Sequence, residues 1–75
     1  MNFDKELNAS GMSCPLPILK TRKALMDMES GQILKVISTD KGSVQDMQAF
    51  ANQTGNTLQA SSEENNAYIF FFKKA

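Results

Sequence analysis

The segment Gly11-Met12-Ser13-Cys14-Pro15-Leu16-Pro17 holds the one cysteine of this 75-residue chain, and with it the residue best suited to nucleophilic chemistry. Proline is tolerated in the first helical turn, where its missing N–H would have no intrahelical acceptor. It also turns the residue before it away from helical dihedrals. Cys14 is therefore expected just ahead of a helix that begins at Pro15 or at Pro17. A thiol at the positive end of a helix is predicted to ionise more readily than a free cysteine. Lys20 and Lys23, further along the same helix, add weak positive potential. The thiolate is the attacking species in sulfur exchange, so a thiol placed this way needs no separate general base. The competing reading is a small, inert core cysteine. A glycine loop behind Cys14 and two prolines ahead of it favour display over burial.

The rest of the composition narrows the chemistry. The chain has no histidine, which removes Ser-His and Cys-His dyads and His-ligated zinc; no cofactor or metal site is expected. A lone cysteine cannot form an intramolecular disulfide and suits a reducing compartment. Asp40 and Asp46 read as turn and cap residues rather than as a catalytic pair. Gly31 and Gly42 belong to turns, and no phosphate-cradling glycine loop is present. Eight Lys and Arg balance eight Asp and Glu, so neither direct nucleic-acid binding nor attachment to an anionic membrane is expected. The opening MNFDKELNAS carries acids and no apolar segment, so no secretory signal is expected. The longest strongly apolar run, Tyr68 to Phe72, is far short of the ~20 residues of a membrane helix. A cytoplasmic protein is the expectation.

Six short elements must position Cys14. Lys5 to Ala9 alternates weakly and predicts a strand. A helical stretch runs from the Cys14-Pro15-Leu16-Pro17 segment to about Met28, with Ile18, Thr21, Leu25 and Met28 on one face. Ser30-Gly31 is expected to stop it in a left-handed cap. Gln32 to Ser38 is the clearest interior strand. Ser43 then fits an N-cap with Asp46 three residues on, and Val44, Met47, Phe50, Ala51 and Thr54 line a second helix ended by Gly55. Thr57 to Ser62 and Ala67 to Lys73 form a hairpin around Glu63-Glu64-Asn65-Asn66. The order β-α-β-α-β-β predicts a single α/β (α+β) domain over residues 1–75. It is a two-layer sandwich, with a mixed four-stranded sheet and two helices packed on one face. The last strand is apolar on both faces, either as a central strand with tolerated outer aromatics or as a partner surface; monomer and weak dimer both fit. Leu16 is expected beside Lys20 on the polar side of the first helix. With Met12 in the loop, these are the candidate partner contacts.

The run Leu7-Asn8-Ala9-Ser10-Gly11-Met12-Ser13-Cys14-Pro15-Leu16-Pro17-Ile18-Leu19-Lys20 resembles the signature of the TusA family of small sulfur-carrier proteins, also called SirA-like or YedF-like. The resemblance extends through Thr39-Asp40 and Ser43 to Phe50 to the final strand. It implies the same sandwich fold and a sulfurtransferase in which Cys14 is the catalytic residue, with Gly11, Pro15 and Pro17 as positioning residues. Such a cysteine accepts sulfane sulfur as a persulfide from a donor such as a cysteine desulfurase. It then relays the sulfur to an acceptor protein, for tRNA 2-thiolation or another sulfur pathway. Two positions depart from the pattern: Asn8 where the family usually has Asp, and Lys41 where it commonly has Pro. The functional alternatives are an RNA-binding module, using the last strand's aromatics for stacking, and a redox-sensing interaction protein.

Overall fold

The pairing of β1 (Lys5–Ala9) with β2 (Ile33–Ser38) is parallel, as a strand-helix-strand unit requires, and it sets the rest of the architecture. The computed structural model describes residues 2–75; Met1 lies outside the described residues. Helix α1 (Leu16–Met26) links the two strands, and α2 (Ser43–Thr54) leads to the hairpin β3 (Thr57–Glu64) and β4 (Ala67–Lys73). The sheet order is β1-β2-β4-β3, with β4 antiparallel to both neighbours. This is the expected mixed sheet under two helices. No helix of the described residues is long and apolar enough to cross a membrane.

Strand alternation sends Leu34, Val36 and Ser38 of β2, with Phe70 and Phe72 of β4, toward the helices. Leu25, Met47, Phe50 and Ala51 meet them from α1 and α2, and Phe50 stands edge-on to Phe72 with ring centroids 5.7 Å apart. Thr21 lies fully buried between the helices, donating to the Pro17 carbonyl at 2.7 Å beside the Met47 sulfur.

Several boundaries differ from the sequence expectation. Helix α1 ends at Met26, with Asp27 as its cap, so Met28 packs into the core from the following turn; Gly31 (φ 90°) turns the chain after the helix has ended. Its buried stripe is Pro17, Thr21, Ala24 and Leu25, leaving Ile18 half-buried. In α2 the N-cap is Gly42, not Ser43. Ser43 is buried one position inside the helix, where its hydroxyl meets that of Ser38 at 2.6 Å. Val44 consequently faces solvent. The hairpin loop is the two residues Asn65-Asn66 (φ 49° and 65°), so β3 runs on through Glu64. Paired positive-φ residues match the twist of the flanking strands, and asparagine tolerates that conformation.

The outer face of β4 carries Ile69 and Phe71, both half-buried. Phe3 packs against Phe71 with ring centroids 6.5 Å apart, and the Lys35 ammonium sits 5.2 Å from the Phe3 ring centre while pairing with Glu6 at 3.6 Å. The outer aromatic is thus covered by the chain's own N-terminal segment. Phe70 and Phe72 point into the core, so β4 presents no row of aromatics for base stacking.

These two faces should respond differently to truncation. Phe72→Ala is expected to lower unfolding free energy by about 3–5 kcal/mol. Phe71→Ala, on the half-covered face, should cost roughly 1–2 kcal/mol. Urea unfolding of both variants measures the contrast.

Candidate functional site

Parallel neighbours release their following loops at the same edge of a sheet, so the β1–α1 and β2–α2 loops lie side by side. Two hydrogen bonds join them. The Gly11 N–H donates to Thr39 Oγ1 at 2.9 Å, and the Cys14 N–H donates to Asp40 Oδ2 at 2.9 Å. Asp40 is itself held: its Oδ1 accepts the Gly42 N–H at 3.3 Å, and its own N–H donates to the buried Ser38 Oγ at 3.2 Å. On the other loop, Asn8 accepts the Ser10 N–H at 3.0 Å, and Gly11 takes a left-handed φ of 81°. That dihedral, rather than any close contact, is what calls for glycine there. Asn8 fulfils its turn with an amide oxygen, so the fold does not require a carboxylate at this position.

Cys14 is exposed at the end of this clamp. Pro15 is the N-cap of α1 and Pro17 lies within its first turn, fully buried, so the two prolines do different work: one shapes the entry and the other anchors it. Beside the sulfur a groove of about 230 Å³ runs between the helices. One wall is the α1 stripe Pro15, Ile18 and Arg22; the other is the α2 stripe Asp46, Ala49, Phe50 and Gln53. A larger hollow of about 300 Å³, with Arg22, Met26, Thr54 and Lys74 among its lining, contains neither Cys14 nor a carboxylate side chain.

The expected ionisation of Cys14 is reversed. A hydrogen bond to the Asp46 side chain, then partial desolvation, then the negative charges of Asp46 and Asp40 push the thiol pKa above its ordinary value. The start of α1 offsets them only weakly. Its positive potential resides on free N–H groups, yet Pro15 and Pro17 have none, and the Leu16 N–H is already bonded to the Ser13 carbonyl at 2.9 Å. The residues that placed Cys14 before the helix also reduce the number of free donors at the helix start.

Of the candidate partner contacts, Leu16 is 45% exposed, Lys20 is exposed and Met12 is half-buried. None of the three lines the groove. Sequence reasoning missed Asp40 and Asp46 as neighbours of Cys14, and Arg22 as part of the groove beside it. The signal for Asp40 was present: once β1 and β2 are parallel, the residue two positions past β2 must lie near the loop after β1.

Comparisons with known proteins agree with this architecture. A model of the family described as Sulfurtransferase TusA matches residues 5–74. The sulfur carrier protein TusA of Allochromatium vinosum is 57% identical over 74 residues, covering 99% of this chain and 97% of its own. YrkI of Bacillus subtilis, a proposed sulfur carrier protein, is 42% identical over 74 residues, covering 99% of each chain. The crystal structure of a SirA-like protein from Desulfitobacterium hafniense superposes with a TM-score of 0.82 at 24% identity. It covers 93% of this chain and 96% of that one, a likeness of fold.

Two measurements test the site. Because only the thiolate is alkylated and the Cys14 pKa is raised, reaction with iodoacetamide should be slower at pH 7 than for an unstructured cysteine peptide. It should continue to rise above the pH at which the peptide has levelled off. Asp40→Ala removes the acceptor of two backbone N–H groups. It should cost about 1 kcal/mol and speed amide hydrogen exchange at Cys14 and Gly42, read by NMR.

Proposed function

The chain belongs to the TusA family of sulfurtransferases, and from that premise we propose that Cys14 carries sulfane sulfur between proteins. The observation that carries this reading is the exposed Cys14 thiol, held by its backbone to Asp40 at the rim of an inter-helix groove. A relay residue must be reached by two different partners in turn, so it belongs on a displayed loop rather than in a closed pocket. It must also keep its position while the sulfur changes hands, which the bonds from Gly11 to Thr39 and from Cys14 to Asp40 supply.

In this reading Cys14 attacks the outer sulfur of a persulfide on a donor protein such as a cysteine desulfurase. It holds that sulfur as its own persulfide and yields it to an acceptor cysteine of a further sulfur-relay protein. The pathway endpoint is tRNA 2-thiolation or another route of sulfur delivery. Gly11, Pro15 and Pro17 act as positioning residues. Exposed Leu16 and Lys20, with Met12 in the loop, supply contacts to the protein partners. The balanced charge fits protein partners better than nucleic acid. The small, self-covered outer sheet face fits a monomer or weak dimer, acting in the cytoplasm.

The test is to incubate the reduced protein with a cysteine desulfurase and cysteine and to take an intact mass. The chain should gain one sulfur atom that reductant removes, and Cys14→Ser should gain none while unfolding at the same urea concentration. A Cys14→Ser protein that supports a complete sulfur-relay assay would sink the proposal.

A further inference from the structure

The groove beside Cys14 has a direction. Its sulfur end is acidic: the Asp40 carboxylate is held there by the Cys14 N–H at 2.9 Å, and α2, which starts just past Asp40, places Asp46 of its first turn on the same stretch of wall. Its middle is apolar, formed by Ile18, Ala49 and Phe50. Its far end is basic. Arg22 lines the groove seven positions past Pro15, about 10 Å along a helix. The one ion pair among the described residues joins Lys35 to Glu6, so Arg22 holds no carboxylate of this chain. Arg22 also lines the adjoining hollow together with half-buried Lys74, which makes the far end positive from two elements.

We propose that this groove binds a free short-peptide persulfide, with the persulfide at Cys14, the peptide over Ile18, Ala49 and Phe50, and its C-terminal carboxylate on Arg22. The inference adds a small donor to the sulfur-carrier reading above and rests on it. Three extended residues span about 10 Å, the length of helix between the two ends of the groove. A guanidinium fork receives a carboxylate through two parallel hydrogen bonds. The two acids at the sulfur end disfavour a further negative charge there, which orients the ligand with its carboxylate away from Cys14. A groove of about 230 Å³ lies below the roughly 300 Å³ at which drug-sized pockets begin, and suits a ligand of this length. A cysteine inside a folded protein has no chain terminus at that distance, so the terminal carboxylate marks a free peptide. In the transfer, the Cys14 thiolate, its proton given to water, attacks the outer sulfur and a new S–S bond forms. The peptide's S–S bond breaks, and its electron pair leaves on the inner sulfur as a thiolate that takes a proton from water. The transferred sulfur enters and leaves in a persulfide, so no oxidant or reductant is consumed.

The test compares N-acetyl-Cys-Gly-Gly bearing a free C-terminal carboxylate with its C-terminal amide. Each is supplied as the 2-thiopyridyl disulfide, so attack by Cys14 on the peptide sulfur releases 2-thiopyridone, read by absorbance. At low salt the acid should react about 3-fold faster than the amide, the scale of a partly exposed ion pair. The ratio should fall toward one in about 1 M salt and in Arg22→Gln, and Arg22→Lys should keep part of it. Circular dichroism establishes that each variant is folded. The persulfides of the same two peptides, followed by intact mass, should load Cys14 in the same order. A ratio near one in the wild type, or a ratio that survives in Arg22→Gln, would overturn the proposal alone. A wild-type chain that shows the ratio yet gains sulfur from neither the peptide persulfides nor a desulfurase would overturn the carrier reading and the donor role with it.

Discussion

The Cys14 end of the molecule depends on one pairing, the parallel alignment of β1 with β2. Had the strands run antiparallel, their following loops would leave opposite edges of the sheet and the Asp40 carboxylate would lie far from Cys14. Parallel pairing brings the loops together, and the 2.9 Å bonds from Gly11 to Thr39 and from Cys14 to Asp40 then lock them. The lock reaches into the core. Asp40 is steadied by Ser38, and Ser38 by Ser43, a pair of buried hydroxyls 2.6 Å apart that satisfy one another. An exposed sulfur is thereby tied through a short polar chain to the first turn of α2.

The electrostatics of the thiol follow from that same assembly rather than from the helix it precedes. A helix N-terminus attracts negative charge through its unbonded N–H groups. Here two prolines and a Ser13 carbonyl leave fewer of those donors, while two carboxylates arrive from the neighbouring loop and helix. Prolines therefore buy position at the expense of positive potential. A thiol whose pKa is raised in this way presents less thiolate at neutral pH than a free cysteine does.

The sheet resolves its uncovered face with local means. Phe3 lies over Phe71, and Lys35 uses its charge twice, toward the Phe3 ring and toward Glu6. β4 can therefore be apolar on both sides without leaving a broad exposed patch, because one side is core and the other is partly roofed by the N-terminal segment.

Much of this was legible in the residues. Six elements, their order, the mixed sheet and the displayed Cys14 followed from period-2 and period-3.6 patterns and from proline and glycine chemistry, all of which are local. The local rules failed where a side chain had a tertiary alternative. Ser43 looks like a cap in sequence but its hydroxyl meets that of Ser38 instead, and Asp46 looks like the other half of a capping box but lines the groove beside Cys14. The sequence by itself determined that one thiol would stand before the first helix, because that depends only on Pro15 and Pro17. Only the tertiary structure decided the charge around it. The potential at a sulfur is set by which groups lie within a few ångströms in space, and Asp40 and Asp46 reach Cys14 across 26 and 32 positions of chain.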